Sequence, residues 1–375
     1  MTGPHPLKQI LLDSRPYWDH PGTPDNIREN FLKVIDCGTL ALGAEVFASE
    51  SETKLVCHTC KSRLCTSCGH RATEEWQEDL NSTLPDIPYV GITLTMPAEF
   101  RPILKQNRRL LHRIPTMGAE AIQQWAKARY GVRLIILVVQ QTYGGLLNFC
   151  PHLHVMISAG GLQESTNRWI HRLKFDKDEL MKAWRYALVA FLGEACKRKL
   201  VGGVAEHELL SMLQFQYKRD WHIHIGRSGS KEYRLKHDGR YIRRPPIAQH
   251  RVVAIAEGGI EFLAKDTRQK QVVMKRYTNE EVVNILALHC PDRGRHAMRY
   301  FGLLSPRSKA RLWSAVFALL NQTRRKHRPR LTWRLLRMKS FGIDPLIDAH
   351  GQPMRWVGRR KPDQAATGTS VFETK

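Results

Sequence analysis

The chain has 375 residues, 42% apolar and 25% charged, a globular composition long enough for two to three domains. Its longest aliphatic run, Leu134–Val139, falls far short of the roughly 20 residues of a bilayer span, and the opening MTGPHPLKQ has no signal-like apolar stretch, so a cytoplasmic protein without membrane contact is expected. The 59 Lys and Arg against 35 Asp and Glu leave a net charge of +24, which makes the chain a poor partner for polycations and a good one for nucleic acid, because each neutralised phosphate releases counterions.

In chain order, residues 6–36 read as helical from the apolar spacing in LKQILLD and NIRENFLKVID. The segment 37–69 holds five of the eight cysteines and little periodicity, as in a metal-ordered module. ATEEWQEDLNSTL (72–84) is helical. PYVGITLTMP (88–97) alternates like a strand and stops at Pro97. Residues 116–129 read as a helix, VRLIILVVQQTY (132–143) as a long central strand, and HLHVMIS (152–158) as another strand ended by the turn AGG. Residues 176–200 form an amphipathic helix with an acidic start and a basic end, matching the helix dipole. DWHIHIG (220–226) alternates as a strand. A short helical or loop stretch then ends at Pro245–Pro246, which cannot continue a helix. Two or three short antiparallel strands are expected over 250–277, and 278–340 is mainly helical and basic. Dense basic stretches are Lys105–Arg113, Arg240–Arg251 and Arg324–Arg337, and from about Pro362 the chain is small, polar and frayed.

Cys57-x2-Cys60-x4-Cys65-x2-Cys68 is the strongest local signal. Chance predicts about 0.2 CxxC pairs in a chain with this many cysteines, and two within twelve residues are far rarer. Each CxxC turn aims two thiolates at one ion, and two turns complete a tetrahedral Zn²⁺ shell. These four are therefore the expected structural zinc ligands. The gap of four between the pairs is short, so Cys37, His58 and His70 are further candidates. Cys150, Cys196 and Cys290 read as core or incidental residues.

Two His-hydrophobe-His triplets occur, His152-Leu153-His154 and His222-Ile223-His224. On a strand, residues i and i+2 share a face, so each triplet can offer two imidazoles to one divalent ion. Each can equally be a pair of half-buried strand histidines. The first triplet follows the long strand ending in Gln141, which can reach the same site. Tyr241 lies in HDGRYIRRPP, with Arg240, Arg243 and Arg244 around it. Cationic neighbours stabilise a phenolate, and they would serve a plain phosphate-contact surface just as well.

The order of TLTMP (93–97), PHLHV (151–155) and GRYIRRPP (239–246) resembles the three motifs of HUH endonucleases. HTCKSRLCTSCG (58–69), QTYGGLLNFCPHLHV (141–155) and LHCPDRGRHAMRYFGLLS (288–305) are similar to the pattern of the rolling-circle transposases of the insertion sequence 91 family, over about residues 26–345. The resemblance implies that His152 and His154, with Gln141 as third ligand, bind Mg²⁺ or Mn²⁺. It implies that Tyr241 attacks single-stranded DNA, leaving a 5′-phosphotyrosine and a free 3′-OH, with strand transfer as the reverse step and no nucleotide cofactor. Arg240, Arg243, Arg244 and Arg299 become candidate DNA contacts, Arg299 with His289 and Tyr300 in a late family motif. The resemblance also implies a bacterial, nucleoid-associated protein. A replication initiator or relaxase shares this active site, and a zinc-ribbon regulator of duplex DNA is the non-enzymatic alternative.

The chain departs from the family pattern in three places. Many relatives carry two tyrosines four residues apart; here the earlier position is His237, with Tyr233 one turn further back, so single-tyrosine chemistry or a shifted role for Tyr233 is expected. An upstream cysteine pair is replaced by Phe47 and Glu50, which would leave Cys37 without partners. A late cysteine knuckle appears as DPLIDAHGQPM (344–354), without cysteines. The expected fold is α+β: N-terminal helices and a zinc-binding module (1–86), a nuclease domain with a central antiparallel sheet and helices mainly on one face (87–305), and a basic helical C-terminal region (306–375). Tyr241 is expected on a helix opposite the two histidines.

Overall fold

A computed structural model of the chain describes residues 6–242, 245–256, 258–266, 269–324, 332–342 and 344–363, with backbone alone at 240–242 and 341. Helices α1 (Pro6–Asp13) and α2 (Asp25–Ile35) precede the hairpin of β1 (Ala44–Ala48) and β2 (Thr53–Cys57). Helix α3 (Thr66–Thr83) leads into β3 (Tyr89–Leu94). Helices α4 (Phe100–Gln106) and α5 (Ile114–Tyr130) separate β3 from β4 (Ile135–Tyr143) and β5 (Phe149–Ser158). A small hairpin, β6 (Gly161–Gln163) and β7 (Arg168–Ile170), follows. Then come α6 (Lys177–Lys197), α7 (Glu206–Gln216), β8 (Ile223–Ile225) and α8 (Lys231–Ile242). The meander of β9 (Val252–Ala256), β10 (Gly259–Asp266) and β11 (Gln271–Thr278) precedes α9 (Asn279–His289), β12 (Met298–Gly302), α10 (Pro306–Leu319), α11 (Trp333–Phe341) and β13 (Arg355–Arg360). None of the described helices is long and apolar enough to cross a membrane.

The chain is α+β, as the sequence predicts, and the main sheet is antiparallel throughout in the order β12-β4-β5-β3-β8. Strand β4 is buried along almost its whole length, and this sets the architecture. A strand apolar on both faces needs cover on both. Val138, Leu153, Val155 and Ile92 pack beneath α5 and α6, with Trp184 at the centre. Val139, Met156, Leu137 and Tyr89 face the other way, towards Trp76 of α3, Leu235 of α8 and Trp313 of α10. Helices therefore cover both faces, not mainly one. Helix α6 starts as its sequence predicts: Asp176 accepts from the Glu179 amide at 2.9 Å, and Asp178 and Glu179 occupy the first turn.

A second core joins α1, α2, the cysteine segment, the inner face of β10 and α9 around Phe31, Phe262 and Leu286. The C-terminal region is not wholly helical. Strand β13 pairs antiparallel with β1 and completes a three-stranded sheet, β13-β1-β2, in the cysteine-bearing module. Helix α11 packs on α3 beside it. The end of the described chain is thus built into its beginning.

Candidate active site and zinc centre

Four sulfur atoms converge beside the N-terminal hairpin, and they belong to Cys37, Cys60, Cys65 and Cys68. Cys37 Sγ lies 3.5 Å from Cys68 and 3.6 Å from Cys65, and Cys60 lies 3.6 Å from Cys68. A tetrahedron of Zn–S bonds of roughly 2.3 Å has edges of about 3.8 Å, so the spacing fits zinc. The first CxxC turn does not supply its leading member. Cys57 ends β2 in register with Ala44, so the strand ladder fixes it away from the cluster, and Cys37 takes its place. Cys37 is delivered by the turn after α2, where Gly38 N–H donates to the His58 carbonyl at 2.9 Å and Lys8 Nζ caps the Cys37 carbonyl. The other predicted alternatives are committed elsewhere or exposed: His58 bonds Glu45 Oε1 at 3.1 Å and the Leu42 carbonyl, while His70 faces solvent.

Backbone amides complete the cradle. Cys60 N–H points at Cys37 Sγ (3.4 Å), Lys61 N–H at Cys68 Sγ (3.3 Å) and Ser62 N–H at Cys60 Sγ (3.4 Å). The turn needs Lys61 at φ +56°, in the left-handed region. Cys65 caps α3 and Cys68 lies in its first turn, where the positive end of the helix dipole favours thiolates. Hydrogen bonding from Cys37 and its neighbours pulls the Cys68 thiol down in pKa, and bonding to Cys37 pushes Cys60 and Cys65 up. Such a cluster shares protons until a metal displaces them.

The second convergence lies on β5. His152 and His154 share a sheet face, with Nε2 atoms 3.1 Å apart and rings edge to face at 4.8 Å. His152 Nδ1–H donates to the Cys150 carbonyl at 2.7 Å, and His154 Nδ1 meets the Thr93 hydroxyl at 3.4 Å. Engaging Nδ1 on each ring leaves Nε2 as the ligating atom. Burial lowers both imidazole pKa values, that of His154 to about 3 with help from His152 and His237, so both rings are neutral at pH 7. Gln141 stands directly across from His152 in the β4–β5 register and is buried.

Helix α8 crosses this face, packed on β3, β5 and α3. Its approach depends on a missing side chain: a Cβ on Gly91 would fall 1.5 Å from Arg234 Nη2, so only glycine lets the guanidinium lie on the strand. Arg234 Nη2 donates to both oxygens of Asp238 at 2.7 and 2.9 Å, a pair with side chains 6% and 14% exposed. Asp238 also bonds His237 Nδ1 at 3.0 Å. Lys231 anchors the start of the helix on the Asn81 carbonyl, and Gln77 of α3 donates to the Leu235 carbonyl. Replacing Asp238 by Ala would strand a buried guanidinium and is expected to cost about 3–5 kcal/mol, measured by denaturant unfolding.

Tyr233, His237 and Tyr241 are spaced four apart along α8, and such residues share a helix face. The Tyr233 and His237 rings stack at 5.8 Å and line a groove of about 1130 Å³ between α8 and α3. The side chains of Arg240 and Tyr241 lie outside the described residues, as do Arg243 and Arg244 altogether.

Arg299 is not brought to the site. Its β12 register with Val138 turns it to the opposite sheet face, where Nη1 bonds Thr116 at 3.4 Å and Nε bonds the His296 carbonyl. His289 is buried between the Thr142 hydroxyl and the Leu147 carbonyl. Cys196 and Cys290 are buried in the two cores.

Three further residues stand near the pair, and of these only Arg101 was not singled out by the sequence. Thr93 carries its motif TLTMP into contact with His154. Arg101 on α4 has an Nε buried without a hydrogen-bond partner, and its charge reaches His152. His224 lies across from Thr93, itself across from His154, so the second His-x-His triplet extends the same face onto the edge strand. The period of two was legible for each strand, but the strand order was not.

An insertion sequence 91 family model described as "Transposase zinc-binding domain" matches residues 12–96, and one described as "Putative transposase" matches residues 136–311. The chain is 28% identical over 360 residues to the transposase for insertion sequence element IS801 of Pseudomonas savastanoi pv. phaseolicola, covering 91% of this chain and 86% of that protein. It is 28% identical over 294 residues to a Sinorhizobium fredii protein named "Putative transposase y4qJ", covering 72% of each. No solved structure matches the chain.

Proposed function

Because this chain belongs to the insertion sequence 91 family of transposases, we propose that it nicks and rejoins single-stranded DNA through a covalent tyrosine–phosphate link during rolling-circle transposition. The observation that carries the reading is the pair of neutral imidazole Nε2 atoms, 3.1 Å apart on one strand. Two neutral imidazoles with their Nε2 atoms side by side, and the buried Gln141 across from His152, suit Mn²⁺, and suit Mg²⁺ through added oxygen ligands. His152, His154 and Gln141 would hold the ion. Once bound, it would draw charge from a phosphate oxygen.

The chain's own groups do the rest. The Tyr241 oxygen attacks phosphorus and gives up its proton. The P–O3′ bond breaks, the 5′-phosphate stays on tyrosine, and the 3′-oxygen takes a proton. Strand transfer runs the same exchange backwards with a new 3′-OH. One phosphodiester is made for each one broken, so no nucleotide cofactor is required. Arg240, Arg243 and Arg244, with Arg101 beside His152, supply positive charge for the DNA backbone. Residues 1–86 and 306–375 would flank a nuclease domain of residues 87–305, with the zinc ion structural.

The test is incubation with circular single-stranded DNA and Mn²⁺. A protein–DNA adduct that survives SDS is expected, absent with H152A/H154A. Because both imidazoles are already neutral, Mn²⁺ titrations at pH 7 should give equal heats in buffers of different ionisation enthalpy, showing no proton release. Full adduct yield from the double variant would end the reading.

A further inference from the structure

Helix α8 carries more of the reaction than its tyrosine. His237 stands one turn before Tyr241, the spacing at which helical side chains meet. Two contacts fix its ring: Nδ1 lies 3.0 Å from Asp238 Oδ1, and the imidazole stacks on Tyr233 with planes 29° apart. Asp238, paired with arginine, only accepts, so Nδ1 donates and Nε2 is the basic nitrogen of the neutral ring. The carboxylate is itself immobilised, since both its oxygens take bonds from Arg234, whose guanidinium lies against Gly91 of β3. His154 is depressed in pKa by burial first and then by the charges of His152 and His237, so His237 stands within electrostatic reach of the metal pair.

Anchoring α8 accounts for Arg234 and Asp238. It does not account for an imidazole held by that carboxylate on the tyrosine's own helix face. A phenol is a poor nucleophile at neutral pH, and a base oriented by a third group is the arrangement that activates such a hydroxyl. We propose that His237 takes the proton of the attacking tyrosine, with Asp238 as its positioning residue. The assignment rests on the nicking reading and supplies the acceptor that reading lacks. As the Tyr241 oxygen bonds phosphorus, its hydrogen passes to His237 Nε2, and the imidazolium formed is steadied by Asp238. The P–O3′ bond breaks, its electron pair stays on O3′, and O3′ takes a proton from water. In rejoining, a new 3′-OH gives its proton to water and attacks, the bond from phosphorus to the tyrosine oxygen breaks, and His237 returns its proton to that oxygen.

The test uses the full-length, zinc-loaded chain with circular single-stranded DNA and Mn²⁺, following the single-turnover rate of SDS-resistant adduct formation. His237→Ala is expected to slow that rate about 10²-fold, with single-strand affinity and Mn²⁺ binding kept within about twofold. Added imidazole should restore part of the rate. Difluorotyrosine incorporated in place of Tyr241 ionises more readily, and should shrink the H237A defect to about tenfold or less. A lost packing contact would slow both phenols alike and would ignore imidazole. Should H237A lose its cooperative melt, His237→Gln, which keeps an amide for Asp238, takes its place in the two-phenol comparison. A rate within about threefold of wild type, or an equal defect with both phenols, overturns the assignment alone. No adduct from the unaltered chain overturns the nicking reading and this assignment with it.

Discussion

Tyr241→Phe is expected to lower covalent adduct formation by at least about 10³-fold while leaving single-strand affinity within about twofold, because the change deletes one oxygen and little else. Phenylalanine keeps the ring and the helix, so α8 should stay docked through Arg234, Asp238 and Lys231. Gel analysis after SDS treatment, with binding measured in parallel, reads both quantities. Tyr233 is the control. It sits two turns earlier on α8, 55% exposed and stacked on His237. If Tyr233→Phe removes the adduct and Tyr241→Phe does not, the nucleophile is Tyr233 and the helix is used in a shifted geometry.

Cys37→Ser is expected to lose stoichiometric zinc and the cooperative melting of the N-terminal module, whereas Cys57→Ser should keep both. Zinc bound by four thiolates contributes on the order of 10 kcal/mol to the fold that holds it. A serine at Cys37 removes one of the four converging sulfur atoms, and a serine at Cys57 touches a residue at the end of β2. The expected stability loss is about 3 kcal/mol or more for the first and within about 1 kcal/mol for the second. Metal analysis by mass spectrometry, followed by thermal melting before and after chelation, separates the two. Equal zinc loss in both variants would return Cys57 to the ligand set.

These two tests probe opposite ends of what the sequence could say. The histidine pair was legible because it is local: the period of two puts His152 and His154 on one face whatever lies around them. Gln141 was legible because a short connection after a long strand brings its end back alongside. Helix α6 announced its own start through Asp176 and the acids after it. The zinc set was misread at one position because spacing counts residues along the chain, not distance in space. Cys57 and Cys60 are neighbours in sequence, yet the ladder with Ala44 holds one back while the Gly38–His58 bond brings Cys37 forward. Cover on both sheet faces was written in the unbroken aliphatic run of β4, but the acidic and basic helices around it gave no sign of which face each would take. The pairing of β13 with β1 has no local signature, since RWVGRR is short, charged and interrupted by glycine.

That last pairing joins residues 311 positions apart, Glu45 and Trp356. At roughly 5–20 residues per second, a ribosome needs about 15–60 s to travel between them. For that interval the nascent hairpin can gather its metal but has an unzipped border, and Phe47 lacks the Trp333 ring that stacks on it. Completion of this small sheet is thus deferred until residues 355–360 have been made, and a chain interrupted before them would leave its first-made module without the third strand.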